Sequence, residues 1–150
     1  MKLYVASSWR NPHQPNVVKW FKAWGYDVYD FRQPVPGDNG FHWSEVDHDW
    51  QNWTLRRYVE QLNHPIAESG FGKDFNAMKW ADACLLVLPC GRSAHLEAGW
   101  FVGQGKPCVV YSPSEVDVVP ELMYKMCTGI VDTLSAAHGI FQPLFVGAKI

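Results

Sequence analysis

The residues whose types and spacing could do chemistry lie mainly in Gly91-Arg92-Ser93-Ala94-His95-Leu96-Glu97, directly after an apolar run. Gly91 permits a sharp reversal, and Ser93 is a favourable N-cap for a helix running to about Gly103. Glu97 then falls on the fourth helical residue. There the partial positive charge of a helix N-terminus favours the ionised acid, a competent nucleophile or base at neutral pH. A second carboxylate, Asp74, precedes the same apolar run. Paired carboxylates are what glycosidic bond cleavage uses, one as nucleophile and one as proton donor or base positioner. The opening segment adds Ser7, Ser8, Trp9 and Arg10. Two hydroxyl-bearing turns, the guanidinium groups of Arg10 and Arg92, and a helix N-terminus make an anion cradle, and Trp9 offers a flat face for a nucleobase or sugar.

These residues need elements to bring them together. Lys2 to Ser7 reads as a first strand, and Pro15 to Trp24 as a helix stopped by Gly25. Tyr26 to Phe31 reads as a second strand, at a spacing that fits a right-handed βαβ unit. Thr54 caps a helix to about Ala67, and Ser69 caps another through Trp80. Ala83 to Leu88 is apolar or small throughout, as a strand covered on both faces must be. A strand at Pro107 to Tyr111, a short helix at Val118 to Met126, an edge strand at Gly129 to Asp132 and a helical turn at Thr133 to His138 complete the chain. Five strands in this rhythm predict an α/β, flavodoxin-like three-layer sandwich with a parallel sheet of order 2-1-3-4-5, in one domain spanning residues 1–150. In that order the switch point lies between strands 1 and 3, so the loops at Ser7–Arg10 and Pro89–Ser93 face each other across one crevice.

Composition narrows the function classes. The chain has 150 residues, a formal net charge of −2, and 19% charged residues. No basic cluster with interleaved aromatics is present, which argues against a nucleic-acid polymer as partner. No stretch approaches the length of a membrane span or a signal h-region, so no membrane association is expected and a cytoplasmic location is. Cys84, Cys90, Cys108 and Cys127 have no metal-like spacing and read as small buried thiols in a reducing compartment. Cys90 adjoins the candidate site with nothing in sequence to pair it with a base. Asp47-His48-Asp49 has the look of a metal group, but such runs in loops are usually solvated, and neither a metal nor a cofactor is expected. Eight tryptophans exceed what so small a core can bury, so some are expected at a pocket or an oligomer interface. Three of them fall in the irregular stretch 32–53, which reads as a lid or subunit contact.

Each candidate has a plainer role available. Ser93 serves as a cap, Arg10 as a solvated charge, Asp74 as a helix-start acid, His95 as a structural histidine, and Glu97 as a charge matched to its helix end.

The combination Ser7-Ser8-Trp9-Arg10 after an early strand, Asp74 ahead of Ala81-Asp82, and Gly91 through Gly99 resembles the nucleoside 2-deoxyribosyltransferase superfamily, which includes the 2'-deoxynucleoside 5'-phosphate N-hydrolases. The resemblance covers roughly residues 1–112, and Ser93-x-x-x-Glu97-x-Gly99 is its most specific part. It implies that Glu97 attacks C1' of the sugar and that Asp74 holds or protonates the departing base. Ser7, Ser8, Trp9, Arg10, Gly91, Arg92, Ser93 and His95 are then the substrate-binding residues. Ser8 and Arg10 match the phosphate-hydrolase version of the first loop and favour a 5'-monophosphate. Gly91 stands where the transferases typically have an aspartate, which leaves both hydrolysis and transfer to another base open. The implied partner is a small nucleotide or nucleoside, with a homo-oligomer completing the pocket. The rival reading on the same scaffold is a non-catalytic protein that binds a nucleotide-derived ligand.

Overall fold

The computed structural model describes residues 1–146. Five strands, β1 (Lys2–Ala6), β2 (Asp27–Tyr29), β3 (Ala83–Val87), β4 (Cys108–Tyr111) and β5 (Gly129–Val131), form one sheet. Their order is β2-β1-β3-β4-β5 and every pairing is parallel. This is the predicted topology. The central register sets Val5 against Leu85 and Cys84 against Cys108. All five residues of β3 are buried, as are the last four of β1. Such strands are apolar on both sides because both sides are covered.

The helices are α1 (Gln14–Ala23), α2 (Leu55–Gln61), α3 (Pro65–Trp80), α4 (Arg92–Gly103) and α5 (Leu134–Val146). Strand alternation assigns the two sheet faces. Leu3, Val5, Val28, Ala83, Leu85, Val87 and Val109 share one core with Val17, Val18 and Phe21 of α1 and Ala137 and Phe141 of α5. On the opposite face the Tyr4 ring meets Phe101 of α4 at 5.6 Å and stacks on Tyr29 at 5.4 Å. The chain divides into two compact units. One contains Met1–Tyr29 and the chain from Trp80 onward, hence the sheet, α1, α4 and α5. The other is Asp30–Lys79.

Several element boundaries differ from those read in sequence. The helical break falls at 62–64 instead of near Ala67–Ser69, because Pro65 suits the first turn of a helix and disfavours helical geometry at His64. Ser69 therefore lies inside α3. Thr54 does cap α2, its Oγ1 accepting the Arg57 N–H at 3.2 Å. Of Val118 to Met126, only Leu122–Met126 is helical, as a 3-10 segment. Pro120 supplies no N–H, and Val118 and Val119 are 77% and 78% exposed, so no burial rewards a helix there. The last helix runs past His138 to Val146, through Pro143. Burial of Ala137 and Phe141 against the sheet outweighs the poor helix propensities of Gly139 and Pro143. None of the eight tryptophans is buried.

The second unit contains the whole irregular stretch 32–53, with 3-10 turns at Trp43–Glu45 and Trp50–Asn52. Trp43 makes edge contacts with Phe41, Trp53 and Tyr58. The Asp47 carboxylate accepts from the Trp53 indole at 2.8 Å and from the Asp49 N–H at 2.9 Å, contacts that hold it below the usual carboxylate range. Two of the three residues in the metal-like run are thereby organised as a turn.

Phe101 is fully buried where α4 meets the sheet. Replacing it by alanine is expected to lower unfolding free energy by about 3–5 kcal/mol, measured by denaturant titration.

Candidate active site

The carboxyl ends of β1 and β3 are joined by a hydrogen-bonded clamp. Ser7 Oγ donates to the Val87 carbonyl at 2.9 Å. The Asn11 amide nitrogen lies within donor reach of Ser7 Oγ at 2.9 Å, Val87 O at 3.1 Å and Pro89 O at 3.2 Å. Its carbonyl oxygen accepts the His13 N–H at 2.8 Å, where α1 begins. Asn11 is 1% exposed, and a polar side chain is retained at that depth because its groups are satisfied. Residues of the loop after strand 1 thus hold the backbone of the loop after strand 3. Sequence reading passed over Asn11. Its available signal was an Asn-Pro pair directly after the opening strand, a turn former whose amide can bridge backbone groups.

Around this clamp, Ser8 Oγ accepts the Arg10 N–H at 3.2 Å. Trp9 and Arg10 are exposed. The chain crosses a cis Leu88–Pro89 peptide before α4. The N-cap of α4 is Gly91, not Ser93, which is the second helical residue and exposed. Glycine has no side chain to cap with, so the first-turn amides of Arg92, Ser93 and Ala94 receive no cap hydrogen bond. A helix start of this kind is an anion-binding surface. The same shift moves Glu97 from the fourth to the sixth helical position, beyond the reach of the strongest dipole effect.

Ala94, Ala98 and Phe101 form the buried stripe of α4. Glu97 and His95 are two residues apart, about 200° around the helix, and take opposite flanks of that stripe. The His95 flank is occupied: its Nδ1 lies 2.8 Å from the Gly91 carbonyl and its Nε2 lies 2.8 Å from Tyr124 Oη. Both ring nitrogens are therefore engaged by protein atoms. Glu97, half-buried, takes the other flank, and its charge is felt at Cys90.

Cys90 Sγ lies 3.7 Å from His95 Nδ1, a proximity not legible in sequence. It does not make a nucleophile pair. A carbonyl only accepts, so Nδ1 carries the proton that goes to Gly91. Burial first, and then the Glu97 charge, push the Cys90 thiol up to about 12. Thiolate is the reactive species, and it is disfavoured here.

Asp74 belongs to the second unit, where it lines a cavity of about 640 Å³ with Phe31, Phe41, Asp38 and Lys73. The Lys73 ammonium donates to the Asp38 carboxylate, and with the Gly40 N–H it holds that acid below its ordinary range. Ser7, Ser8, Trp9, Arg10, Gly91, Arg92, Ser93, His95 and Glu97 all belong to the first unit.

No family model matches the chain, and no curated protein matches it. Solved structures share its fold. The 2-deoxyribosyltransferase from the psychrotolerant bacterium Bacillus psychrosaccharolyticus superimposes with a TM-score of 0.59 at 16% identity. The match covers 91% of this chain and 90% of that one. At that identity the likeness is one of fold. Among the described residues, no helix is long and apolar enough to cross a membrane.

Two outcomes follow. Asn11→Ala leaves buried carbonyls without their donor and is expected to cost about 1–3 kcal/mol in denaturant unfolding. Cys90 should resist iodoacetamide at pH 8, where a thiol at about 12 has roughly one thiolate in ten thousand. Its labelling rate in the folded protein, read by mass spectrometry, should rise about tenfold per pH unit from 8 to 10.

Proposed function

We propose that the chain is a member of the nucleoside 2-deoxyribosyltransferase superfamily and cleaves the base–sugar bond of a nucleotide or deoxynucleotide. The observation that carries this reading is a half-buried carboxylate, Glu97, on the helix that follows β3, beside a loop pair clamped at the switch point of the sheet. Ligands of open α/β sheets bind at that point. The fold shared with a 2-deoxyribosyltransferase supports the same reading.

In the proposed reaction a Glu97 oxygen bonds to C1' as the C1'–N bond breaks, and the bonding pair leaves with the base. Asp74 is the group assigned to hold or protonate that base. Water or a second base then attacks C1', displaces the Glu97 carboxylate and delivers net retention. The uncapped first turn of α4, with Arg10 and the Ser8 turn, is suited to a 5'-phosphate. Chemistry of this kind draws on the protein's own carboxylates and assigns no role to a metal or cofactor. We assign the chain to a homo-oligomer, a reading supported by the exposed apolar residues Val118, Val119, Leu122 and Met123.

Incubation with a panel of nucleoside and deoxynucleoside 5'-monophosphates, with chromatography for free base, tests the activity. Glu97→Gln is expected to lower base release by about a thousandfold or more while leaving ligand binding largely intact. Near-normal turnover in that variant overturns the nucleophile assignment. Arg10→Ala should raise KM for monophosphates about tenfold relative to unphosphorylated nucleosides. An equal effect on both substrates argues against phosphate recognition by Arg10.

A further inference from the structure

His95 stands two residues from Glu97, yet both of its ring nitrogens are taken by protein atoms, and one of those atoms comes from a distant part of the chain. Tyr124 sits in the 3-10 segment Leu122–Met126, between β4 and β5. Its hydroxyl lies 2.8 Å from His95 Nε2, and its ring lies 5.8 Å from the imidazole, tilted 15°. Burial raises the Tyr124 phenol above its ordinary value, so the hydroxyl keeps its proton. Proton bookkeeping then orders the three groups. The Gly91 carbonyl can only accept, so Nδ1–H donates to it. In the neutral ring Nε2 is an acceptor, and Tyr124 O–H donates to it.

The Gly91 carbonyl is the first acceptor of α4, and its backbone bond from the His95 N–H is long, at 3.4 Å. The imidazole reaches the same oxygen at 2.8 Å. The first acceptor of α4 is thus met more closely by a side chain than by its backbone partner, and that side chain is oriented by Tyr124. This turn presents the amides of Arg92, Ser93 and Ala94, and the next turn carries Glu97. Gly91 has no Cβ to restrict the loop, so an external tie has a distinct job to do there.

We infer that Tyr124 is a positioning residue that acts through His95 to set the N-terminal turn of α4, and so aligns Glu97. The inference rests on the reaction proposed above. Tyr124 touches no reacting atom. It fixes one tautomer and one ring orientation, and misplacement of a reacting group by a fraction of an ångström is enough to slow a displacement.

Tyr124→Phe removes one oxygen and keeps the ring stacked on His95. It is expected to lower kcat for base release about tenfold with KM within about twofold, since alignment and not uniform binding is lost. In 15N NMR spectra, His95 should show the Nδ1–H tautomer in the parent protein and a tautomer mixture in Y124F. Glu115→Gln is the control: it removes the exposed pairing of Glu115 with His13 in the same β4–β5 connection, and both readouts should stay at parent values. Unchanged kcat in Y124F, an Nε2–H tautomer in the parent protein, or an equal effect of E115Q overturns the inference. If the parent protein releases no base from any nucleotide, the reaction itself is wrong. The relay is then decided by the His95 tautomer alone: Nδ1–H in the parent protein with a mixture in Y124F upholds it, and the same tautomer in both overturns it.

Discussion

The arrangement at the carboxyl ends of the central strands depends on the side chain of Asn11. One buried amide reaches Ser7, Val87 and Pro89 and receives the backbone N–H of His13. Parallel strands β1 and β3 are neighbours but are joined by about eighty residues of intervening chain, so nothing local holds their ends in register. The ladder aligns the strands themselves, and beyond Ala6 and Val87 it stops. Asn11 and Ser7 continue it with side chains. Burial strengthens these bonds and makes their loss costly.

On this base α4 departs with an unusual start. A glycine N-cap supplies no capping oxygen, which would ordinarily weaken a helix, although glycine costs only a few tenths of a kcal/mol relative to the best caps. The first amides of the turn are left without a side-chain cap. The His95 imidazole, backed by Tyr124, compensates on the other side of the same turn. Packing of Ala94, Ala98 and Phe101 then sets the helix phase, and that phase separates the Glu97 flank from the His95 flank. Stability and proposed chemistry meet on one helix for this reason.

Much of the fold was legible from patterns with short physical reach. The unbroken apolar run Ala83–Leu88, the alternation of strand and helix rhythm, and the stop at Gly25 led to the sheet order found. Misreadings occurred where a local rule competed with burial. Ser93 is a good cap by type, but the chain turns at Gly91 and helical geometry begins before the serine. Pro143 is a breaker by type, but Phe141 and Ala137 have a core to enter. Val118 and Val119 look like helix-forming apolar residues, but no core reaches them. The candidate residues Ser7, Ser8, Trp9, Arg10, His95 and Glu97 were proposed from type and spacing. Asn11 and Tyr124 were not, since each acts on backbone or side chains far along the chain.

The sequence by itself determined the number and kind of strands, their parallel order, and the presence of a carboxylate shortly after the third strand. Periodicity, glycine and proline placement, and run length are properties of neighbouring residues and can be read in one dimension. Only the tertiary structure decided where α4 starts, which flank Glu97 takes, and that His95 faces inward to Gly91 and Tyr124. Those outcomes depend on contacts between residues as much as 80 positions apart, as in the hydrogen bond from Ser7 to Val87. Such contacts form only after the sheet has brought its strand ends together.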